Sequence, residues 1–225
     1  MRPKYFATQE IKIESYVHSL LKLDEDEALN YILKEAKKYG TPPLHVTQID
    51  GRHIEVLAKM ISPKKIVEIG TLCGVSALHL CRALGEDGKL WTIEKSEHHH
   101  FIAQEIFKKI EIKNQIEFVL GSAEDVLQKI EENGPFDIVF IDANKDSYPS
   151  YFQWAKKNLR PGGLLIADNV FLFGYIAEDK CENEGLEKLR IGMQEFNEMV
   201  VSSKEFLTTF LPTGEGLLVA IKKEN

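Results

Sequence analysis

With 225 residues, 44% of them hydrophobic, and a formal charge of -7, the chain can bury the core of one domain, and its acidic balance disfavours nucleic acid as the main partner. No apolar run is long enough to span a bilayer, and the start Met1-Arg2-Pro3-Lys4-Tyr5 lacks the apolar centre of a signal peptide. Three cysteines, Cys73, Cys81 and Cys181, have neither the number nor the spacing of a disulfide frame or zinc site, so we expect a cytoplasmic protein with free thiols and no membrane partner.

Two amphipathic stripes come first: Ile13, Tyr16, Val17, Leu20 and Leu21, then Leu29, Ile32, Leu33 and Ala36, the second closed by Gly40 and the pair Pro42-Pro43. A third helix carries Ile54, Leu57, Ala58 and Ile61 and stops at Ser62-Pro63. Residues 1–62 thus read as a helical cap and 63–225 as the core of the same domain. The cap could cover a ligand, join two subunits or only close the core.

Lys65 to Gly70 is a branched apolar run too short for a helix, as suits a strand covered on both faces. It enters a turn bracketed by Gly70 and Gly74, and a helix follows from about Val75 to Leu84. The spacing is Gly-x-x-x-Gly, not the Gly-x-Gly-x-x-Gly of a dinucleotide site. Glu68, just before the turn, would repel a pyrophosphate but attract an ammonium or sulfonium group. Glu94 ends the next strand, Lys89 to Glu94, about where a nucleoside-binding sheet keeps its ribose carboxylate. A cationic head, a ribose and no phosphate describe S-adenosylmethionine.

The run His98-His99-His100 reads as the solvated first turn of a helix that carries Ile102, Ala103, Ile106 and Phe107. Strands follow over Ile116 to Leu120, Phe136 to Ile141 and Gly163 to Asp168. A long helix, Glu184 to Val201, precedes a hairpin of Phe206 to Leu211 and Leu217 to Lys222 around Pro212-Thr213-Gly214-Glu215-Gly216. The alternation predicts an α/β fold: a doubly wound, mostly parallel sheet with an antiparallel C-terminal hairpin, preceded by helices. Ligands of such sheets lie beyond the carboxyl ends of the strands, where Asp142, Asp168 and Asn169 follow the fourth and fifth. Two carboxylates and an amide oxygen are hard ligands suited to Mg²⁺, Mn²⁺ or Ca²⁺.

Four ordered motifs carry a family resemblance over nearly the whole chain from about Thr8. Glu68-Ile-Gly70-Thr-Leu-Cys73-Gly74-Val-Ser76, Asp142-Ala-Asn-Lys145-Asp146-Ser-Tyr148, Asp168-Asn169 and Leu211-Pro212-Thr-Gly214-Glu-Gly216 resemble those of the cation-dependent class I O-methyltransferases of the caffeoyl-CoA and catechol group, with their Rossmann-like fold. The resemblance implies that Val46, Glu68, Gly70, Thr71, Ser76, Glu94, Ala123 and Asp142 face S-adenosylmethionine. It also implies a divalent cation on Asp142, Asp168 and Asn169, catalysis by Lys145 and Asp142, and a homodimer. Asn144 replaces the Asp of plant-like members, and Leu172-Phe173 stands where those have Trp-Asn, so a lignin-type acceptor does not follow.

The chemistry fits these residues. A phenol, with an ordinary pKa of about 10, is a weak nucleophile at neutral pH. A divalent ion beside two adjacent hydroxyls would stabilise the oxyanion, and Lys145 could take the proton. Phe171, Leu172, Phe173 and Tyr175 could pack on the flat ring of a small aromatic acceptor or belong to the core. Two other readings stand beside this one. A nicotinamide-dependent oxidoreductase is disfavoured by the missing third glycine and by Glu68, and a non-catalytic protein that binds S-adenosylmethionine would not need Lys145.

Overall fold

The structure, a computed structural model, describes residues 15–112 and 115–224. A helical segment over 15–20 leads through a single 3-10 turn into α1 (Glu27–Lys38) and α2 (Gln48–Met60). Then come β1 (Lys65–Ile69), α3 (Val75–Ala83), β2 (Lys89–Glu94), α4 (Glu97–Phe107), β3 (Gln115–Leu120), α5 (Ala123–Ile130) and β4 (Phe136–Ile141). The chain closes with α6 (Tyr148–Asn158), β5 (Leu159–Ala167), α7 (Glu184–Ser202), β6 (Phe206–Leu211) and β7 (Leu217–Lys222).

The seven strands lie in the order β3-β2-β1-β4-β5-β7-β6. The first five are parallel, and β7 runs antiparallel between β5 and β6, so the predicted fold class is the observed one. Strand alternation divides the core into two layers. Ile66, Leu90, Ile138, Phe140 and Ile166 face α1 to α4, whereas Val67, Trp91, Val139, Ile141 and Leu165 face α5 to α7. Both faces are covered, which is why these strands read as continuous apolar runs.

Two differences from the expected boundaries have local causes. β5 begins at Leu159, because Leu159 pairs with Phe136 before a register shift that resumes at Ile138 and Leu164. Of the first apolar stripe, Ile13 lies outside the described residues, and Tyr16, Leu20 and Leu21 are exposed, so that face does not close the core. Among the described residues no helix is long and apolar enough to cross a membrane. All three cysteines are free thiols.

One ion pair ties the N-terminal helices to the sheet layer. Asp26 caps α1 by accepting from Leu29 N at 3.1 Å and takes both terminal nitrogens of Arg82 from α3, at 2.5 and 2.8 Å. The pair is shielded, with 12% of the Asp26 side chain and 32% of the Arg82 side chain accessible. The Arg82 hydrogen bonds hold the Asp26 carboxyl down at about 2. Since a free Asp titrates near about 3.9, the stabilisation is complete above that pH and is lost as pH falls through about 2. Asp26→Ala is expected to lower unfolding free energy by about 1.5–3 kcal/mol at pH 7. In urea melts its deficit against the parent chain should narrow between pH 5 and pH 3, and a deficit unchanged over that interval would count against the linkage.

Candidate active site

The order of strands puts β1 beside β4, with the crossovers leaving to opposite sides, and a crevice opens at their carboxyl ends. A cavity of about 520 Å³ occupies it, a volume suited to a small organic ligand. Gly70 closes the floor. Its φ is +103°, and a Cβ built there would fall 1.9 Å from the Asp142 carbonyl oxygen, so only glycine lets the tips of β1 and β4 approach this closely. Gly74, also at positive φ, opens α3 without a side-chain cap, and Val75 and Ser76 of that first turn line the cavity. An uncapped helix start offers backbone donors and partial positive charge to a carboxylate.

Glu94 stands at the tip of β2, only 8% exposed, with its carboxylate gripped by Leu72 N on Oε2 and Ser96 N on Oε1, both at 2.9 Å. It lines the cavity with its remaining lone pairs free for a diol. Thr71 and Ala123 line the same wall, Thr71 through a 2.5 Å contact of its Oγ1 with Thr92 Oγ1. His98, His99 and His100 lie in the first turn of α4, where Ser96 Oγ caps His99 N.

Two of the residues expected at the ligand do not line the cavity. Glu68 does not reach the cavity: strand alternation sends it to the α1–α4 side, where it is fully buried and accepts from Thr92 Oγ1 at 2.5 Å. Burial pushes its carboxyl up to about 8 against the hydrogen bonds of Ser76 and Thr92, so at neutral pH it is chiefly a protonated acid rather than an anion awaiting a cation. Val46 is packed in the core of that same layer, and its neighbours Pro43, Leu44 and His45 form the cavity wall instead.

At the other end of the cavity, the single turn after β4 brings Lys145 back over the strand tips. Lys145 Nζ donates to Asp142 Oδ1 at 3.0 Å, Asn169 Oδ1 at 2.5 Å and Tyr148 OH at 2.8 Å. Tyr148 is fully buried, donates to the Asp168 carbonyl oxygen at 3.0 Å and is held protonated by that burial, its phenol pushed well above 10. Asp142 and Asn169 line the cavity. Asp168 is 2% exposed and does not line it; its Oδ1 accepts from Asn169 N at 2.7 Å. Burial, and after it the charge of Asp142, push the Asp168 carboxyl well above the usual range.

Glu215, in the hairpin turn between β6 and β7, accepts from Asn169 Nδ2 and also lines the cavity. The sequence analysis placed it only within a motif, and a lone acid between two glycines carried no further signal. Phe173, at φ 55° and 60% exposed, lines the cavity, whereas Phe171 stacks on Phe210 and Leu172 is buried, so the aromatic segment divides between site and core.

The Asp142 and Asp168 carboxyl groups and the Asn169 amide oxygen are hard oxygen donors of the kind a divalent cation takes, and Lys145 Nζ bonds two of them, Asp142 Oδ1 and Asn169 Oδ1. Among the described residues no three His, Cys, Asp or Glu side chains are gathered closely enough to hold a metal by themselves, so the amide would have to contribute.

Comparison with known proteins identifies the family. The sequence profile of the O-methyltransferase family matches residues 19–223. A catechol O-methyltransferase from Niastella koreensis is 33% identical over 201 residues, 88% of this chain and 89% of that one. An O-methyltransferase from Bacillus cereus, solved in complex with SAH, superposes with a TM-score of 0.86 at 32% identity, covering 94% of this chain and 97% of that one. One from Streptomyces achromogenes, involved in tomaymycin synthesis and solved with SAM, gives 0.84 at 32% identity, covering 95% and 96%.

Proposed function

Because the chain belongs to the O-methyltransferase family, we propose that it methylates one hydroxyl of a vicinal dihydroxy aromatic acceptor, using S-adenosylmethionine and a divalent cation. One observation carries this reading. Lys145 Nζ meets Asp142 Oδ1 and Asn169 Oδ1 in the same cavity that Glu94 and the uncapped start of α3 line at its other end.

When bound, S-adenosylmethionine supplies a methyl group activated by a sulfonium. Glu94, immobilised by two backbone amides, would accept from its ribose hydroxyls, while the first turn of α3 and Ser76 would receive its carboxylate. Gly70 lets the Asp142 backbone lie close beside it, where Asp142 would reach both cofactor and acceptor. Asp142, Asp168 and Asn169 would hold the cation, which when bound supplies charge that favours the ionised acceptor hydroxyl. Lys145 Nζ would take the hydroxyl proton, aimed by its contacts with Tyr148 OH and Asp142 Oδ1. Lys145 would keep the proton while the acceptor oxygen takes the methyl group that the cofactor would supply. Phe173 and Leu44 give the cavity an apolar wall against which an aromatic ring can lie.

The test is methyl transfer to a panel of catechols. We expect turnover with Mg²⁺, its abolition by EDTA and its recovery when Mg²⁺ is returned. Undiminished turnover after complete chelation would reject the cation. Inactivity on every catechol by protein that still binds SAH would reject the acceptor class.

A further inference from the structure

Asn169 stands at φ +59°, and its side chain is shared between two groups of opposite demand. On one side Lys145 Nζ donates a hydrogen bond to Oδ1 at 2.5 Å. On the other, a Glu215 carboxylate oxygen, which accepts, takes Nδ2. Exchanging the amide oxygen and nitrogen would set acceptor against acceptor at Glu215 and give up the hydrogen bond that Lys145 donates, so the two neighbours together fix the direction of the amide.

The backbone keeps Glu215 in place for this. Its carbonyl accepts from Phe171 N at 2.9 Å, and the Gly216 carbonyl accepts from Val170 N at 3.1 Å, so the hairpin turn is laced to the residues right after Asn169. Gly216 has φ +81°, and a Cβ there would meet the Phe171 ring at 2.5 Å, so the turn can sit this close only with glycine next to Glu215.

We propose that Glu215 is a positioning residue for the cation site: by holding Asn169 Nδ2 it presents Oδ1, the ligating atom, to the Asp142 side of the cavity. This rests on the reading of Asn169 as a cation ligand. Glu215 acts on the ion through Asn169, as outer partners that orient a ligand do.

The experiment is calorimetric titration of the full-length protein with Mn²⁺ alone, and SAH titration of every variant to verify the fold. Glu215→Leu is expected to weaken Mn²⁺ binding by about 10–100-fold, the usual effect of losing an orienting partner, with SAH affinity unchanged. Glu215→Gln, which keeps an acceptor for Nδ2, should recover most of that loss. In an Asn169→Ala background Glu215→Leu should add nothing, because the path through the amide is already gone. Wild-type Mn²⁺ affinity in Glu215→Leu would overturn the proposal. So would the same loss in the Asn169→Ala background, or in Glu215→Gln, since either would show that the charge of Glu215 and not its hold on Asn169 is what matters. A parent protein that binds no Mn²⁺ would instead refute the cation reading itself and the positioning role with it.

Discussion

Replacing Lys145 by alanine is expected to lower turnover about 10²- to 10⁴-fold, the usual contribution of a positioned general base, while SAH binds as before. The separation follows from where the side chain lies. Its three hydrogen bonds run to Asp142, Asn169 and Tyr148, while Glu94, at the opposite end of the cavity, is held by the backbone amides of Leu72 and Ser96. Arginine should not rescue the loss. It keeps the positive charge but cannot give up its proton, so Lys145→Arg distinguishes a base from a mere counter-charge. Single-turnover methyl transfer with saturating cofactor reads the chemical step directly. An unchanged rate in Lys145→Ala would remove the lysine from the mechanism, and full rescue by arginine would leave it only an electrostatic part.

The same variant bears on cation binding. Lys145 Nζ donates to two of the groups assigned to the ion, Asp142 Oδ1 and Asn169 Oδ1, so lysine and metal draw on the same oxygens. Lys145→Ala therefore should not weaken Mn²⁺ binding.

What the sequence could and could not reveal divides along the range of the interactions. The strands were legible because burial on both faces makes them apolar throughout, and Asp142, Asp168 and Asn169 were legible because a doubly wound sheet sends strand-end residues to one rim. Side-chain direction at those ends was less so. Glu68 lies one residue before the last of β1, and period-two alternation, which the sequence contains, turns it under the helices to Thr92 rather than toward the cavity. Asp168 is spent partly on the backbone of its neighbour. Glu215 was missed because its contact with Asn169 spans 46 positions and depends on β7 pairing antiparallel to β5, and no local pattern encodes that. Val46 shows how a family resemblance differs from packing: the resemblance places it at the cofactor, whereas it lies in the core and Pro43, Leu44 and His45 line the cavity.

Gly70→Ala tests whether the closeness of β1 and β4 is what builds the site, and Gly40→Ala supplies its control. Both glycines have positive φ, +103° and +72°, so both substitutions strain the backbone, by about 1–3 kcal/mol each. They differ in what a new methyl group would meet. Around Gly40 there is nothing within 4 Å, whereas at Gly70 the methyl would lie 1.9 Å from the Asp142 carbonyl oxygen. That oxygen is backbone at the end of a buried strand and cannot swing aside, so the two strand tips must part. Gly70→Ala is therefore expected to exceed the 4–5 kcal/mol of the most damaging single substitutions, a fall in Tm of roughly 10 °C or more for a chain of this length. SAH affinity should fall with it, because Asp142 is displaced along with its carbonyl. Gly40→Ala should show the smaller loss of stability and bind SAH as the parent does. If the two variants melted together, or if Gly70→Ala bound SAH normally, the contact between Gly70 and Asp142 would not be the constraint that shapes the cavity.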